Sequence, residues 1–216
     1  MEKAPPDMEL ILKYFSDFTP LQLQRFEALK GIYEDWNTRI NVISRKDIDS
    51  LYEKHVLHSL SIPVMGNLPE GASVIDIGTG GGFPGIPLAI FYPEVEFHLV
   101  DSIRKKLSVV EAVVDALELD NVTVQHTRAE DIKGRRFDYA VSRAVAPLKD
   151  LWHWSRPLLR KKAFAEDNFA PGLICLKGGD LAEEIAESKL RPFVATISDM
   201  FQEEWFHEKY VLHCPF

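Results

Sequence analysis

The chain has 216 residues, 46% hydrophobic and 27% charged, with a formal net charge of −8; this balance excludes a disordered or collagen-like chain and suits a folded α/β protein. No apolar run approaches the ~20 residues of a membrane-spanning helix, and MEKAPPDMEL at the start has no apolar signal-peptide core, so a cytoplasmic setting is expected. The two cysteines, Cys175 and Cys214, form no CxxC pair, so no metal site is expected, and the acidic balance taken alone argues against a nucleic-acid partner.

Residues 1–70 read as a helical region. In LQLQRFEALKGIYEDWNTRI the apolar side chains recur at three- and four-residue steps, an amphipathic pattern. Thr19 followed by Pro20 predicts a helix start with an N-cap and proline at the first helical position. A second helix is predicted from about Asp47 to His58, with Pro63 ending or kinking the region. Residues 71–216 change texture. Strands are predicted at SVIDIG, EFHLVDS, NVTVQHT, RFDYAVSRA and GLICLKGG, each followed by a helical or turn segment. That alternation predicts a doubly wound, mostly parallel sheet. FVATISDM and KYVLHCPF have no helix between them and are expected to pair as an antiparallel hairpin.

The most unusual stretch is VIDIGTGGGFPGIP at 74–87, with five glycines directly after an apolar strand. A helix interior would lose about 1 kcal/mol for each of them, so the stretch reads as a strand-to-helix turn. In a doubly wound sheet such a turn faces the crevice at the carboxyl ends of the strands, where ligands bind. Missing Cβ atoms let a ligand approach the backbone. GGGFPG formally matches the dinucleotide pattern GxGxxG, but a lone match is weak. The acid-x-Gly-x-Gly phrase from Asp76 to Gly80 and a sheet ending in a hairpin favour S-adenosylmethionine. Asp101, closing the second strand, is expected to accept ribose hydroxyls with either cofactor.

These phrases resemble the glucose-inhibited division protein B family, the bacterial 16S rRNA guanine-N7 methyltransferases. The resemblance runs through WNTRINVIS (36–44), KHVLHSL (54–60), VIDIGTGGGFPGIPLAI (74–90), LVDSIRKK (99–106), RAED (128–131), SRAVAPL (142–148) and LKGG (176–179). It implies a class I S-adenosylmethionine-dependent methyltransferase fold: a Rossmann-like seven-stranded sheet with an antiparallel C-terminal hairpin and an N-terminal helical region facing RNA. It implies S-adenosylmethionine as cofactor, S-adenosylhomocysteine as product and the small ribosomal subunit or its 16S rRNA as partner, with the enzyme a monomer. Carried over position by position, it implies cofactor contacts at Gly78, Gly80, Phe83, Asp101, Ala129, Glu130 and Arg143. Arg143 is also the catalytic candidate, through cofactor, guanine O6 or a phosphate. The acidic FQEEWFHE and EKYVLHCPF depart from the basic C-terminal strand pair common in that family.

The implied chemistry needs little machinery. Guanine N7 carries an in-plane lone pair and no proton, so positioning rather than a general base should supply the acceleration. The sequence has no Asn/Asp-Pro-Pro-aromatic phrase for an exocyclic amine, and Cys175 lies in a predicted strand. Local charge matters more than the sum for RNA. The expected RNA-facing cations and donors are Arg39, Arg45, Lys46, Lys54, His55, Lys105 and Lys177. Arg128, Arg135 and Arg136 are expected on crevice-side segments. His55 and His58 share a helical face but lack a third ligand for a metal. A same-fold methyltransferase acting on a small molecule, an NAD-dependent oxidoreductase and a non-catalytic binding module remain alternatives.

Overall fold

The computed structural model describes residues 6–44, 46–161 and 168–216. A short helix and a long one lead in. Helix α1 spans Pro6–Leu12 and α2 spans Pro20–Asn37. At the start of α2 the Thr19 hydroxyl accepts from the Gln22 N–H while the Gln22 side chain accepts from the Thr19 N–H, a reciprocal capping box. The same Gln22 donates its amide to the carbonyls of Ile90 and Phe91. Arg25, one turn on, donates to the carbonyl of Leu117 at 2.8 Å. Helix α2 thus satisfies the orphan carbonyls at the ends of two later helices, which fixes it across the back of the sheet.

The second predicted helix is divided. A 3₁₀ turn at Ile48–Ser50 leads into a π-helical segment at Tyr52–Leu57 and then α3 at His58–Met65. Apolar periodicity does not distinguish π from α spacing, so the division is invisible in sequence. Pro63 removes the donor that the Ser59 carbonyl would have received, and α3 stops two residues later, before Gly66.

Beyond this, strands and helices alternate: β1 (Ser73–Ile77), α4 (Gly85–Phe91), β2 (Glu96–Asp101), α5 (Arg104–Ala116), β3 (Val122–His126), β4 (Tyr139–Arg143), α6 (Leu148–Ser155), β5 (Gly172–Gly178), α7 (Ala182–Ser188), β6 (Phe193–Thr196) and β7 (Lys209–Pro215). The sheet order is β3-β2-β1-β4-β5-β7-β6. The first five strands are parallel, and β7 runs antiparallel between β5 and β6. The chain winds outward from β1 to β3 and returns to β4 on the other side of β1. That reversal opens a crevice at the carboxyl ends of β1 and β4. The link from β6 to β7 is longer than a hairpin turn and carries two 3₁₀ turns, Ile197–Asp199 and Glu204–Phe206.

The helical region has no core of its own. Phe26, Leu29 and Tyr33 of α2 and Leu60 of α3 belong to the same buried cluster as Val74, Phe97 and Val211 of the sheet. The α1 end is tied to the β6–β7 link, where the Tyr14 hydroxyl and Lys13 ammonium both meet the Glu203 carboxylate.

Candidate functional site

The glycine turn is built around Asp76, which is fully buried in β1. Its Oδ2 accepts from the Thr79 hydroxyl at 2.7 Å and from the Gly85 N–H at 2.9 Å, pinning the turn and the start of α4 to one carboxyl. Oδ1 is buried without a hydrogen-bond partner. Burial pushes the Asp76 carboxyl up to about 7, against the two hydrogen bonds and the nearby Arg143 guanidinium. Gly85 is required for this approach, since a Cβ there would lie 2.7 Å from Asp76 Oδ2. Gly80 serves the opposite purpose. Its φ is +59°, and a Cβ there would come no nearer than 4.0 Å to another atom, so its bare face looks into open space. The glycines therefore divide between internal packing and an exposed backbone.

Helix α2 and the loop after it support the turn from behind. The Tyr33 hydroxyl donates to the Gly81 carbonyl at 2.6 Å, and its ring lies 5.1 Å from that of Phe83. Asn37 organises the loop: its Oδ1 accepts from the Val42 and Ile43 N–H groups and its Nδ2 donates to the Ile43 carbonyl. Val42 is thereby set against Gly81.

Across the crevice, Asp101 closes β2. One carboxylate oxygen accepts from the Gly80 N–H at 2.9 Å and the other from the Ile103 N–H at 2.8 Å. A carboxylate offers about four lone-pair positions, so acceptor capacity remains on the side facing the crevice. The cavity here has a volume of about 480 Å³. Gly78, Gly80, Phe83, Asp101, Ala129, Glu130 and Arg143 all line it, together with Val42, Ile103 and Val145. Ile103 and Val145 are large apolar side chains left exposed at its mouth. The residues fit a nucleoside: a bare backbone turn, a carboxylate for hydroxyls, and apolar walls for a ring.

Arg143 ends β4 and lies between this cavity and a second one. Its guanidinium donates to the Lys54 carbonyl at 3.2 Å and to His55 Nδ1 at 2.9 Å, and stacks 5.1 Å over the Phe83 ring. Burial lowers its pKa to about 10, opposed by Asp76 and Tyr33, so it is a cation at neutral pH. An arginine has no acceptor, so His55 Nδ1 must accept and its proton sits on Nε2. Burial, then the Arg143 charge, pushes His55 down to about 3. The expected RNA-facing His55 is a neutral partner that orients Arg143.

The second cavity, of about 740 Å³, shares Arg143, Ala144 and Val145 with the first. Lys54, His58, Pro147, Lys177, Trp205 and Lys209 are among its other walls. Lys177 is buried there, with its ammonium 2.6 Å from a Glu184 carboxylate oxygen and hydrogen-bonded to the Ala146 carbonyl. It is a structural ion pair rather than a free rim cation. Lys54 pairs with Asp47 at 2.6 Å. Arg39 is exposed, paired with Asp35 one turn back. Lys46 and Lys105 are exposed, and Arg45 lies outside the described residues. Arg128 lines the first cavity. Arg135 and Arg136 are not on the crevice side, because they precede β4 and so lie at the amino ends of the strands. There Arg135 contacts His98 Nδ1.

Sequence reasoning did not find Tyr33, Asn37, Val42, Ile103, Val145, His58, Trp205 or Lys209. Asn37, Val42, His58, Ile103 and Val145 fall inside the quoted phrases WNTRINVIS, KHVLHSL, LVDSIRKK and SRAVAPL. Nothing marks Trp205 except an aromatic in an acidic stretch. Among the described residues no helix is long and apolar enough to cross a membrane, and no cluster of His, Cys, Asp and Glu is placed to hold a metal ion.

Residues 22–209 match the family model described as rRNA small subunit methyltransferase G. The chain is 50% identical to "Ribosomal RNA small subunit methyltransferase G" of Flavobacterium psychrophilum over 96% of this chain and 98% of that protein. The protein of the same name from Bacteroides thetaiotaomicron is 52% identical over 95% of this chain and 98% of its own length. Among solved structures, a SAM dependent methyltransferase from Aquifex aeolicus superposes with a TM-score of 0.56, covering 80% of this chain and 98% of that one at 14% identity. That likeness concerns the fold.

Proposed function

The chain belongs to the rRNA small subunit methyltransferase G family, and on that premise we propose that it transfers a methyl group from S-adenosylmethionine to N7 of a guanine in 16S rRNA. The observation that carries the cofactor reading is the first cavity, where the bare face of Gly80 and the Asp101 carboxylate look into the same space. Family membership removes the oxidoreductase reading of GGGFPG.

When bound, S-adenosylmethionine would supply an electrophilic sulfonium methyl, whose carbon the N7 lone pair would attack while the C–S electron pair leaves with the thioether sulfur. The protein's contributions are binding, orientation and charge. Asp101 would accept hydrogen bonds from the ribose hydroxyls, and Ile103 and Ala129 would flank the adenine. The Gly78–Gly80 backbone and Phe83 would border the methionine portion, and Arg143 would offer its carboxylate a fixed positive charge. N7 loses no proton on methylation, so no general base is required. The neutral His55 is consistent with that, because its acceptor nitrogen is already committed to Arg143. Arg143 then lies where cofactor and acceptor meet, held by the Lys54 carbonyl, His55 and Phe83 so that its planar charge need not reorganise during transfer. The setting we propose is a cytoplasmic monomer that meets the small ribosomal subunit.

The test is transfer of labelled methyl from S-adenosylmethionine to small ribosomal subunits from a strain lacking this protein, with the labelled base mapped. Label on a single guanine N7 is expected. No label on the subunit, with label instead on a free metabolite, would overturn the rRNA reading in favour of a small-molecule acceptor.

A further inference from the structure

We propose that the second cavity seats the target guanine, with His58 accepting from its Watson–Crick edge and Trp205 stacking on its face. The inference rests on the reading of an rRNA guanine as methyl acceptor and assigns the residues that recognise it. A base inside folded RNA must leave its stack to reach a methyl donor, and a separate pocket beside the cofactor is where it goes.

Three observations carry the assignment. The cavity of about 740 Å³ adjoins the cofactor cavity at Arg143, Ala144 and Val145, so a ring entering it has one edge at the seam. His58 is only 5% exposed and lines this cavity, yet neither of its ring nitrogens has a hydrogen-bond partner among the described residues. The Lys54 carbonyl, one turn back, already accepts from Arg143 and could take only an N–H from the ring, which leaves the other ring nitrogen as acceptor. Burial keeps the ring neutral, with Arg143, His55 and Lys209 also disfavouring a charge. A neutral imidazole must carry one bare acceptor nitrogen, and a buried acceptor without a donor is unfavourable until a ligand supplies one. Trp205 meets the His58 ring edge-on at 5.1 Å, and Lys209 sits over its indole at 5.1 Å, giving an aromatic wall with a cation beside it.

The edges match. With N7 turned toward the seam, the guanine keeps its N1–H and N2 amino donors free to meet the bare acceptor of His58. The indole supplies the stacking that an unpaired base loses on leaving its helix.

The test uses the full chain, S-adenosylmethionine and small ribosomal subunits lacking the methyl group. Trp205→Ala should lower kcat/KM for the subunit roughly 10- to 100-fold, and Trp205→Phe should restore most of it. His58→Phe fills the space without a nitrogen and should lose activity, whereas His58→Gln restores an acceptor and should recover part. Calorimetric affinity for S-adenosylhomocysteine should be unchanged in all four, which also reports that they fold. Wild-type kcat/KM in Trp205→Ala and His58→Phe would overturn the assignment while leaving the methyltransferase reading intact. So would losses matched by lost cofactor affinity. If the wild-type protein itself transfers no methyl to the subunit, the acceptor reading falls first and this inference with it.

Discussion

The two cavities that meet at Arg143 are built in different ways. The first cavity, proposed for the cofactor, comes mainly from consecutive strand-to-helix turns after β1, β2 and β3, each delivered to the crevice by the parallel register of its strand. Its polar groups bond to one another: Asp101 joins the turn after β1 to the turn after β2, and Asp76 joins the turn to α4. The second cavity gathers α3, the loop after β4, the end of β5 and the β6–β7 link. It keeps a buried imidazole unsatisfied. Both cavities hold groups paired with one another, and the second adds an imidazole that the proposed base would complete. A nucleoside cofactor common to a fold suits the first design, and a particular base on a large RNA suits the second.

Substitutions can break this contrast on either side. The largest effect is expected for Asp101→Ala, which removes the hydroxyl acceptor and two backbone ties together. Affinity for S-adenosylhomocysteine should fall by roughly 100-fold or more, since hydrogen bonds to charged groups contribute about 1.5–3 kcal/mol each; calorimetry reads it, and retained affinity would erase the cofactor side of the comparison. At the seam, Arg143→Ala should slow methyl transfer on the order of 100-fold through lost positioning while the protein stays folded. Losing that charge should also raise the His55 pKa from about 3, still held below its ordinary value by burial, which NMR titration of the ring would follow.

Asp76 sharpens the comparison through pH. Its carboxyl holds a proton to about 7 in the folded state and releases it near 4 when unfolded. The stability associated with that proton is full below the unfolded value and is lost as pH rises toward 7. Wild-type protein should therefore lose stability relative to Asp76→Asn across that window, by up to about 1.4 kcal/mol per pH unit, as read by denaturant midpoints. His55 contributes with the opposite sign, losing stability as pH falls from 6.5 toward about 3, and this cancels in the difference between the two proteins. The smallest effect belongs to Arg39→Ala, since Arg39 lines neither cavity. Its exposed pair with Asp35 should change stability by no more than about 0.5 kcal/mol.

The same contrast explains what could be read from the chain. The seven strands, the N-cap at Thr19 and the glycine turn are local, set by apolar alternation and by residue types with few conformational uses. Asp101 and Arg143 were findable because each closes a predicted strand, and parallel strands bring their ends to one crevice. Partnership was not legible. Lys177 and His55 resemble free cations or donors until the fold brings Glu184 to the first and Arg143 to the second. Arg135 and Arg136 precede a strand, so the winding of the sheet sends them to the far end. Trp205 and His58 lie in segments far apart in sequence and meet through β7, which no periodicity announces.

The most direct test of a two-cavity site is a crystal structure with S-adenosylhomocysteine bound. The ribose hydroxyls are expected on Asp101, the adenine beside Ile103 and Ala129, and the sulfur facing the opening at Arg143, with the His58–Trp205 cavity left free. Density for the nucleoside between His58 and Trp205, with the glycine turn bare, would contradict that placement.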